Sequence, residues 1–218
     1  MSIRFCRLRH VDPRRLTRDE QRHQTRERLM DAAEQLFAER GIGDTSIELI
    51  AETAGFSRGA FYSNFDGREA LVLALIERRN ERNRAENAEI SGRNGSPAEF
   101  LQRIFERAER QTHIEATIGM EYILWAARNP ESRPKLKELR NDVLVEHTAL
   151  IRTQYVEQGQ DLPIDNEFAA KILLALDEGY ALLRMLDPEG YPVTIWSETV
   201  AILNEAMIAL IDKRAADG

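Results

Sequence analysis

The stretch Thr45 to Glu69, reading TSIELIAETAGFSRGAFYSNFDGRE, limits what this chain can fold into more than any other. It packs two helix starts, a glycine turn and the beginning of a third helix into one short span. Thr45 followed by Glu48 has the spacing of a capping box, in which the hydroxyl accepts an early helical N–H and the carboxylate reaches back to the cap. Ile47, Ile50, Ala51 and Ala54 fall on one face of the helix so started. Gly55 then supplies the left-handed backbone that ends it. Ser57 is placed to cap a second helix, with Ala60, Phe61 and Phe65 inward and Arg58, Gly59, Ser63 and Asn64 outward. A short helix with a small, polar outer face is the layout of a helix-turn-helix, whose second helix brings side chains to base edges in a major groove. On pattern alone, a helical hairpin inside an ordinary all-α domain fits the same residues.

The wording of the stretch adds to its pattern. With Leu36, Phe37, Arg40 and Gly41 upstream, AEQLFAERGIGDTSIELIAETAGFSRGAFYSNFDGREALVLALIE closely resembles the DNA-binding domain of the tetracycline-repressor (TetR) family of bacterial transcriptional regulators. The LF and RG pairs, the Thr-Ser pair, IA, AG, the S-x-G-x-x-Y-x-x-F run and the Arg-Glu after it all sit in register. Gly67 and Arg68 depart from the family's usual Ser or Asn followed by Lys, which keeps a cation but alters its geometry. The resemblance implies roles by position. Thr45 and Ser46 would hold backbone phosphates. Arg58, Gly59 and Ser63 would face base edges, and Tyr62 and Asn64 would contact phosphates or base edges. Arg68 would clamp a phosphate. It further implies a homodimer on a palindromic operator, with a small effector bound in the C-terminal body.

The formal net charge is −7, and its distribution reconciles it with DNA binding. Residues 1–28 carry nine arginines against four acidic side chains, whereas residues 69–218 carry 18 basic and 26 acidic ones. Phosphate attraction depends on the field at the docking surface, so an acidic rear body is compatible with a DNA-binding front. For residues 1–15 a solvated charged tail is an equal reading. No uncharged apolar run approaches the roughly 18 to 20 residues of a membrane span, and MSIRFCRLRH has no apolar segment behind its charges, so the expected location is the cytoplasm. Cys6 is the single cysteine and has neither a disulfide partner nor a metal cluster around it.

Taken in order, residues 1–16 lack periodicity and predict a mobile basic arm, residues 17–68 a helix-turn-helix domain, and residues 69–218 a ligand-binding and dimerisation domain. Thr17 and Glu20 form a capping box, and Leu29, Ala32, Ala33, Leu36 and Phe37 make the first helix's stripe before Gly41. Leu71, Leu75 and Ile76 begin a long helix that turns charged from Glu77 to Glu89. Ser91, Gly92, Asn94, Gly95 and Pro97 mark a connector. Further helices follow at Phe100–Ala108, Ile114–Ala127 and Arg133–Gln158. No segment reads as a strand, so the expectation is an all-α chain of about nine helices.

The last two helices stand apart. The helix capped by Asp165 is apolar on nearly every side and stops before Pro188. The final one carries Val193, Trp196, Val200, Leu203, Met207 and Leu210 on one stripe and Ile195, Ile202, Ala206 and Ala209 on another. One stripe can serve the core and the other a second copy, giving a four-helix dimer interface; a deeply buried central hairpin is the alternative. The TetR resemblance implies the dimer.

Catalytic chemistry finds no support. His10, His23, His113 and His147 are scattered without metal-ligand spacing, and no phosphate loop or nucleophile elbow occurs. Glu115 with Glu121 and Asp177 with Glu178 are carboxylate pairs of the kind that usually form solvated faces or caps. No enzyme activity, cofactor or metal is expected. Phe105, Met120, Tyr122, Trp125, Tyr155, Tyr180 and Arg184 bring aromatic, thioether and polar groups to the converging C-terminal helices. Such residues are most often core, yet an apolar cavity with sparse polar groups is what an effector needs. Glu178 and Arg184 could face that cavity or pair at a dimer seam.

Overall fold

The computed structural model describes residues 17–91, 103, 106, 113–155, 162 and 164–217. All its regular elements are helices: α1 (Arg18–Arg40), α2 (Ile47–Thr53), α3 (Arg58–Tyr62), α4 (Arg68–Ser91), α5 (His113–Arg128), α6 (Arg133–Tyr155), α7 (Asn166–Leu186) and α8 (Val193–Asp217). The all-α expectation holds. The arm 1–16, the connector beyond Ser91 and, apart from Arg103 and Glu106, the helix expected at Phe100–Ala108 lie outside the described residues.

Local chemistry sets most of the helix ends. Thr17 accepts the Glu20 N–H at 3.2 Å while Glu20 accepts the Thr17 N–H at 2.7 Å, and these bonds hold the Glu20 carboxyl below its ordinary pKa. Gly41, with φ of 81°, closes α1 by donating to the Phe37 carbonyl at 2.9 Å. Leu29, Ala33 and Phe37 from α1, Ile50 from α2, Phe61 from α3 and Leu71 and Leu75 from α4 are fully buried in one core. That core continues into α5 through Ile118 and Tyr122 and does not stop at residue 68. The helix-turn-helix therefore shares its hydrophobic interior with the body behind it.

Charged side chains reinforce the junction. Arg78 on α4 reaches Glu27 at 3.0 Å, Asp31 at 2.8 Å and Glu34 at 2.8 Å, clamping α4 along α1. Farther along, Asn80 donates to the Leu139 carbonyl at 3.2 Å and Arg84 meets Glu146 at 2.6 Å, tying α4 to α6. A second, smaller core gathers Ile151 and Tyr155 of α6 with Ala169 and Ala170 of α7, and Met207 of α8 packs on it.

The two stripes of α8 separate as their spacing predicts. Val200 is buried and Trp196, Leu203 and Met207 are half-buried, while Ile195 and Ile202 are 40% and 64% exposed. Leu210 leaves the inner stripe to which its spacing assigned it and is 50% exposed. Phe168, Ile172, Leu176, Leu182, Leu183 and Leu186 of α7 are exposed as well. The span Val193–Leu210 has a mean hydropathy of 1.3 and is long and apolar enough by composition to cross a membrane. Glu198 and Glu205 interrupt it, which is why no uncharged run is seen in the sequence.

Candidate nucleic-acid interface and ligand cavity

The start of α2 differs from the sequence reading by one residue. Ser46, not Thr45, is the N-cap, and its hydroxyl accepts the Leu49 N–H at 3.1 Å. Thr45 is fully buried, and its hydroxyl donates to the Gly41 carbonyl at 2.8 Å, closing the loop between α1 and α2. Thr45, expected beside Ser46 as a phosphate contact, thus has its hydroxyl turned onto the loop and away from the surface. Ser46 remains exposed at the helix tip. Glu48, freed from capping, pairs instead with Arg58 across the turn at 3.1 Å.

Gly55 adopts the left-handed conformation with φ of 77°, and the chain enters α3 through Ser57, whose hydroxyl accepts the Ala60 N–H at 3.2 Å. Phe61 and Phe65 anchor the helix from beneath. Arg58, Gly59, Tyr62 and Ser63 lie on the exposed side. A Cβ placed on Gly59 would meet nothing closer than the Ser57 hydroxyl at 3.7 Å, so no internal contact requires a glycine there. The Arg58 guanidinium lies 5.5 Å from the Tyr62 ring centre; Tyr62 and then Glu48 raise its pKa further above the ordinary value.

Three other predicted residues are already engaged. The Ser63 hydroxyl and the half-buried Asn64 amide each donate to the Ala60 carbonyl at 2.8 Å. Arg68 donates to the Gly43 carbonyl at 3.1 Å and supports the α1–α2 loop. Two residues were missed: Arg22 donates to the Ser63 carbonyl at 3.2 Å and Arg26 to the Asn64 carbonyl at 2.8 Å. Both satisfy the carbonyl end of α3, where cations are favoured. Their spacing of four, which places both on one face of α1, was the available signal.

Behind this surface, α4, α5, α6 and α7 surround a cavity of about 210 Å³. Met120 and Tyr122 are in its wall with Ile76, Leu139 and Leu174. Polar groups also line it, including Arg79, His147, Asp177 and Glu178, the last paired with Arg140 at 2.5 Å. Arg79 lies against Gly119, where a Cβ would fall 2.6 Å from its Nη1. Burial pushes the Tyr122 phenol well above its ordinary pKa, and its hydroxyl has no hydrogen-bond partner among the described residues.

Trp125, Tyr155, Tyr180 and Arg184, also expected in a ligand site, are not in this wall. Trp125 packs at the edge of the N-terminal core, and the Tyr155 hydroxyl donates to Asn204 in the second core. The Tyr180 hydroxyl donates to the Tyr191 carbonyl at 3.1 Å and pins the turn between α7 and α8, with Arg184 beside it. Phe105 lies outside the described residues. Among the described residues no group of three or more His, Cys, Asp or Glu is placed to hold a metal ion.

Comparison with known proteins agrees with this architecture. Residues 29–75 match the family of bacterial regulatory proteins, tetR family. The chain is 29% identical to the HTH-type transcriptional repressor BepR of Brucella suis over 81% of its own length and 88% of BepR. In fold it is similar to GusR of Salmonella enterica, with a TM-score of 0.72 and 23% identity over 90% of this chain and 98% of that one. It is also similar to the regulator FadR of Bacillus subtilis in complex with stearoyl-CoA, with a TM-score of 0.69 and 19% identity over 81% of this chain and 96% of FadR. A buried three-helix front, a short third helix with a polar outer face and the matching family domain lead to one assignment: residues 29–75 carry the DNA-binding domain of bacterial regulatory proteins of the tetR family, and the chain as a whole resembles transcriptional regulators of that kind.

Proposed function

We propose that this regulator is a ligand-responsive repressor that acts in the cytoplasm, binds a palindromic operator as a homodimer and is released by a small-molecule effector. The observation that carries the DNA-binding part is the outer face of α3. Arg58, Gly59, Tyr62 and Ser63 are exposed together, and the glycine has no internal reason to be one. Arg58 and Gly59 would approach base edges, Ser46 and Tyr62 phosphates, and Arg68 a phosphate from the start of α4. The exposed apolar residues of α7 and α8 support dimerisation, since a monomer would leave them in water. Two recognition helices in successive major grooves must then stand about 34 to 36 Å apart.

The effector reading rests on the cavity, which is mostly apolar with a few polar groups. The complex of FadR with stearoyl-CoA shows a relative of similar fold holding a ligand. An effector here would displace α4 and α5, whose other ends are packed into the DNA-binding front. The deciding experiment is selection of bound duplexes from a random pool. An inverted repeat that is retarded in a salt-sensitive manner is expected. Recovery of no preferred sequence would overturn the reading. Should selected DNA never be released by a broad panel of apolar metabolites, the chain is a constitutive DNA-binding protein.

A further inference from the structure

Glu48 lies in the first turn of α2, beside the tip that carries Ser46, and its side chain is 55% exposed. A carboxylate on a face that meets phosphates works against binding, because it weakens the local positive field. Its placement nonetheless has a definite geometry. Glu48 Oε1 lies 3.1 Å from Arg58 Nη1, and the Arg58 guanidinium lies over the ring of Tyr62, four residues further along α3. Carboxylate, guanidinium and phenol thus form one stack across two helices. The stack occupies one donor and one face of an arginine whose side chain is still 63% exposed, leaving other N–H groups free for a ligand.

A base-reading arginine presents two parallel donors to the O6 and N7 of a guanine, and such a pair discriminates only if it arrives correctly oriented. A phosphate imposes no comparable demand and carries no sequence information. An arginine free to rotate would satisfy the nearest phosphate and lose rotamer freedom on every base contact. We propose that Glu48 is a positioning residue for operator specificity: it holds Arg58 in the orientation that reads a base, at the expense of attraction to DNA in general. This rests on the reading that Arg58 faces bases, and the test separates the two.

The full chain is assayed on the duplex selected by the wild type and on a scrambled duplex of equal length, across a range of salt. Glu48→Ala is expected to bind scrambled DNA more tightly and to lower the ratio of selected to scrambled affinity about tenfold. Its salt dependence should steepen by about one phosphate contact. Glu48→Gln, which keeps the shape and one acceptor without the charge, should fall between wild type and Glu48→Ala. In an Arg58→Ala background the Glu48 substitution should leave the ratio unchanged. Equal tightening on both duplexes by Glu48→Ala would show that the carboxylate only repels phosphate and overturns the proposal. A ratio that falls by the same factor without Arg58 also overturns it. Equal weakening of both duplexes by Arg58→Ala removes the base-reading role itself.

Discussion

The Glu121 carboxylate of α5 accepts the backbone N–H of Ile42 at 2.9 Å, joining the cavity wall to the loop that opens the helix-turn-helix. Its neighbours Met120 and Tyr122 line the cavity, so one turn of α5 touches both a prospective ligand and the DNA-binding front. Gly41 fits beneath it; a Cβ there would sit 3.1 Å from Glu121 Oε2 in a backbone conformation side chains avoid. Glu121→Ala leaves the Ile42 N–H unpaired and should cost about 1.5 to 3 kcal/mol. Glu121→Gln, which keeps an acceptor, should cost less. Urea unfolding checks the order, and equal stability of wild type and Glu121→Ala would remove the bond's structural role.

Gly59→Ala separates folding from reading. In a helix interior the change should stabilise by about 0.5 to 1 kcal/mol, and the added methyl meets only ordinary contact at the Ser57 hydroxyl. Operator affinity should nevertheless fall at least tenfold, as the methyl blocks close approach to the groove. A variant that gains stability in thermal melts and keeps its operator affinity would place α3 differently on DNA.

Tyr122→Phe removes a buried hydroxyl that has no partner among the described residues, so stability at neutral pH should stay level or rise by about 1 kcal/mol. The alkaline limb gives the sign. Folding raises the phenol's pKa above its ordinary 10.0, so the stabilisation is present below pH 10. Above that value the unfolded chain releases a proton that the folded chain retains, and stability declines until the folded phenol also ionises. Denaturation midpoints measured from pH 8 to 11 should fall less steeply for the variant. Tyr155 and Tyr180, shifted in the same direction by burial, keep the slope from vanishing. Identical slopes would exclude Tyr122 as a contributor.

Ile202→Glu tests the proposed dimer at an apolar position of α8 that is 64% exposed. The wild type should scatter light as twice its 25.0 kDa chain mass, and the variant as a single chain with unchanged helical circular dichroism. Binding to an inverted repeat should fall with it. An intact dimer in the variant would move the interface elsewhere.

Where a helix begins was legible wherever one residue held the capping chemistry, as at Thr17, Ser57 and Asp165. At Thr45 and Ser46 two adjacent hydroxyls offered the same chemistry, and only the burial of the loop behind them decides which faces water. Glycines at positions 41 and 55 gave two helix ends because each takes a positive φ. The cavity was less legible. Aromatic content marks residues that leave water, but it does not distinguish a wall such as Tyr122 from a packing residue such as Trp125 or a turn anchor such as Tyr180. The sequence leaves Glu178 open between the cavity and a dimer seam and reads Asp177 only as half of a solvated pair, whereas both line the cavity. The Arg78 clamp and the Glu121 bond join residues some 44 to 79 positions apart, and helical periodicity carries no information over that range.

The five residues of α3 divide their labour by face: Phe61 is held beneath, while Arg58 and Gly59 project from a surface on which the core places no demand. Substitutions on the outer side can therefore accumulate without first being screened for folding. A duplicated copy of this gene could drift in DNA preference in few steps while keeping its fold and its cavity. The pairing of Arg58 with Glu48 constrains that drift, since an exchange at one position changes the value of the other, and the two should diverge together.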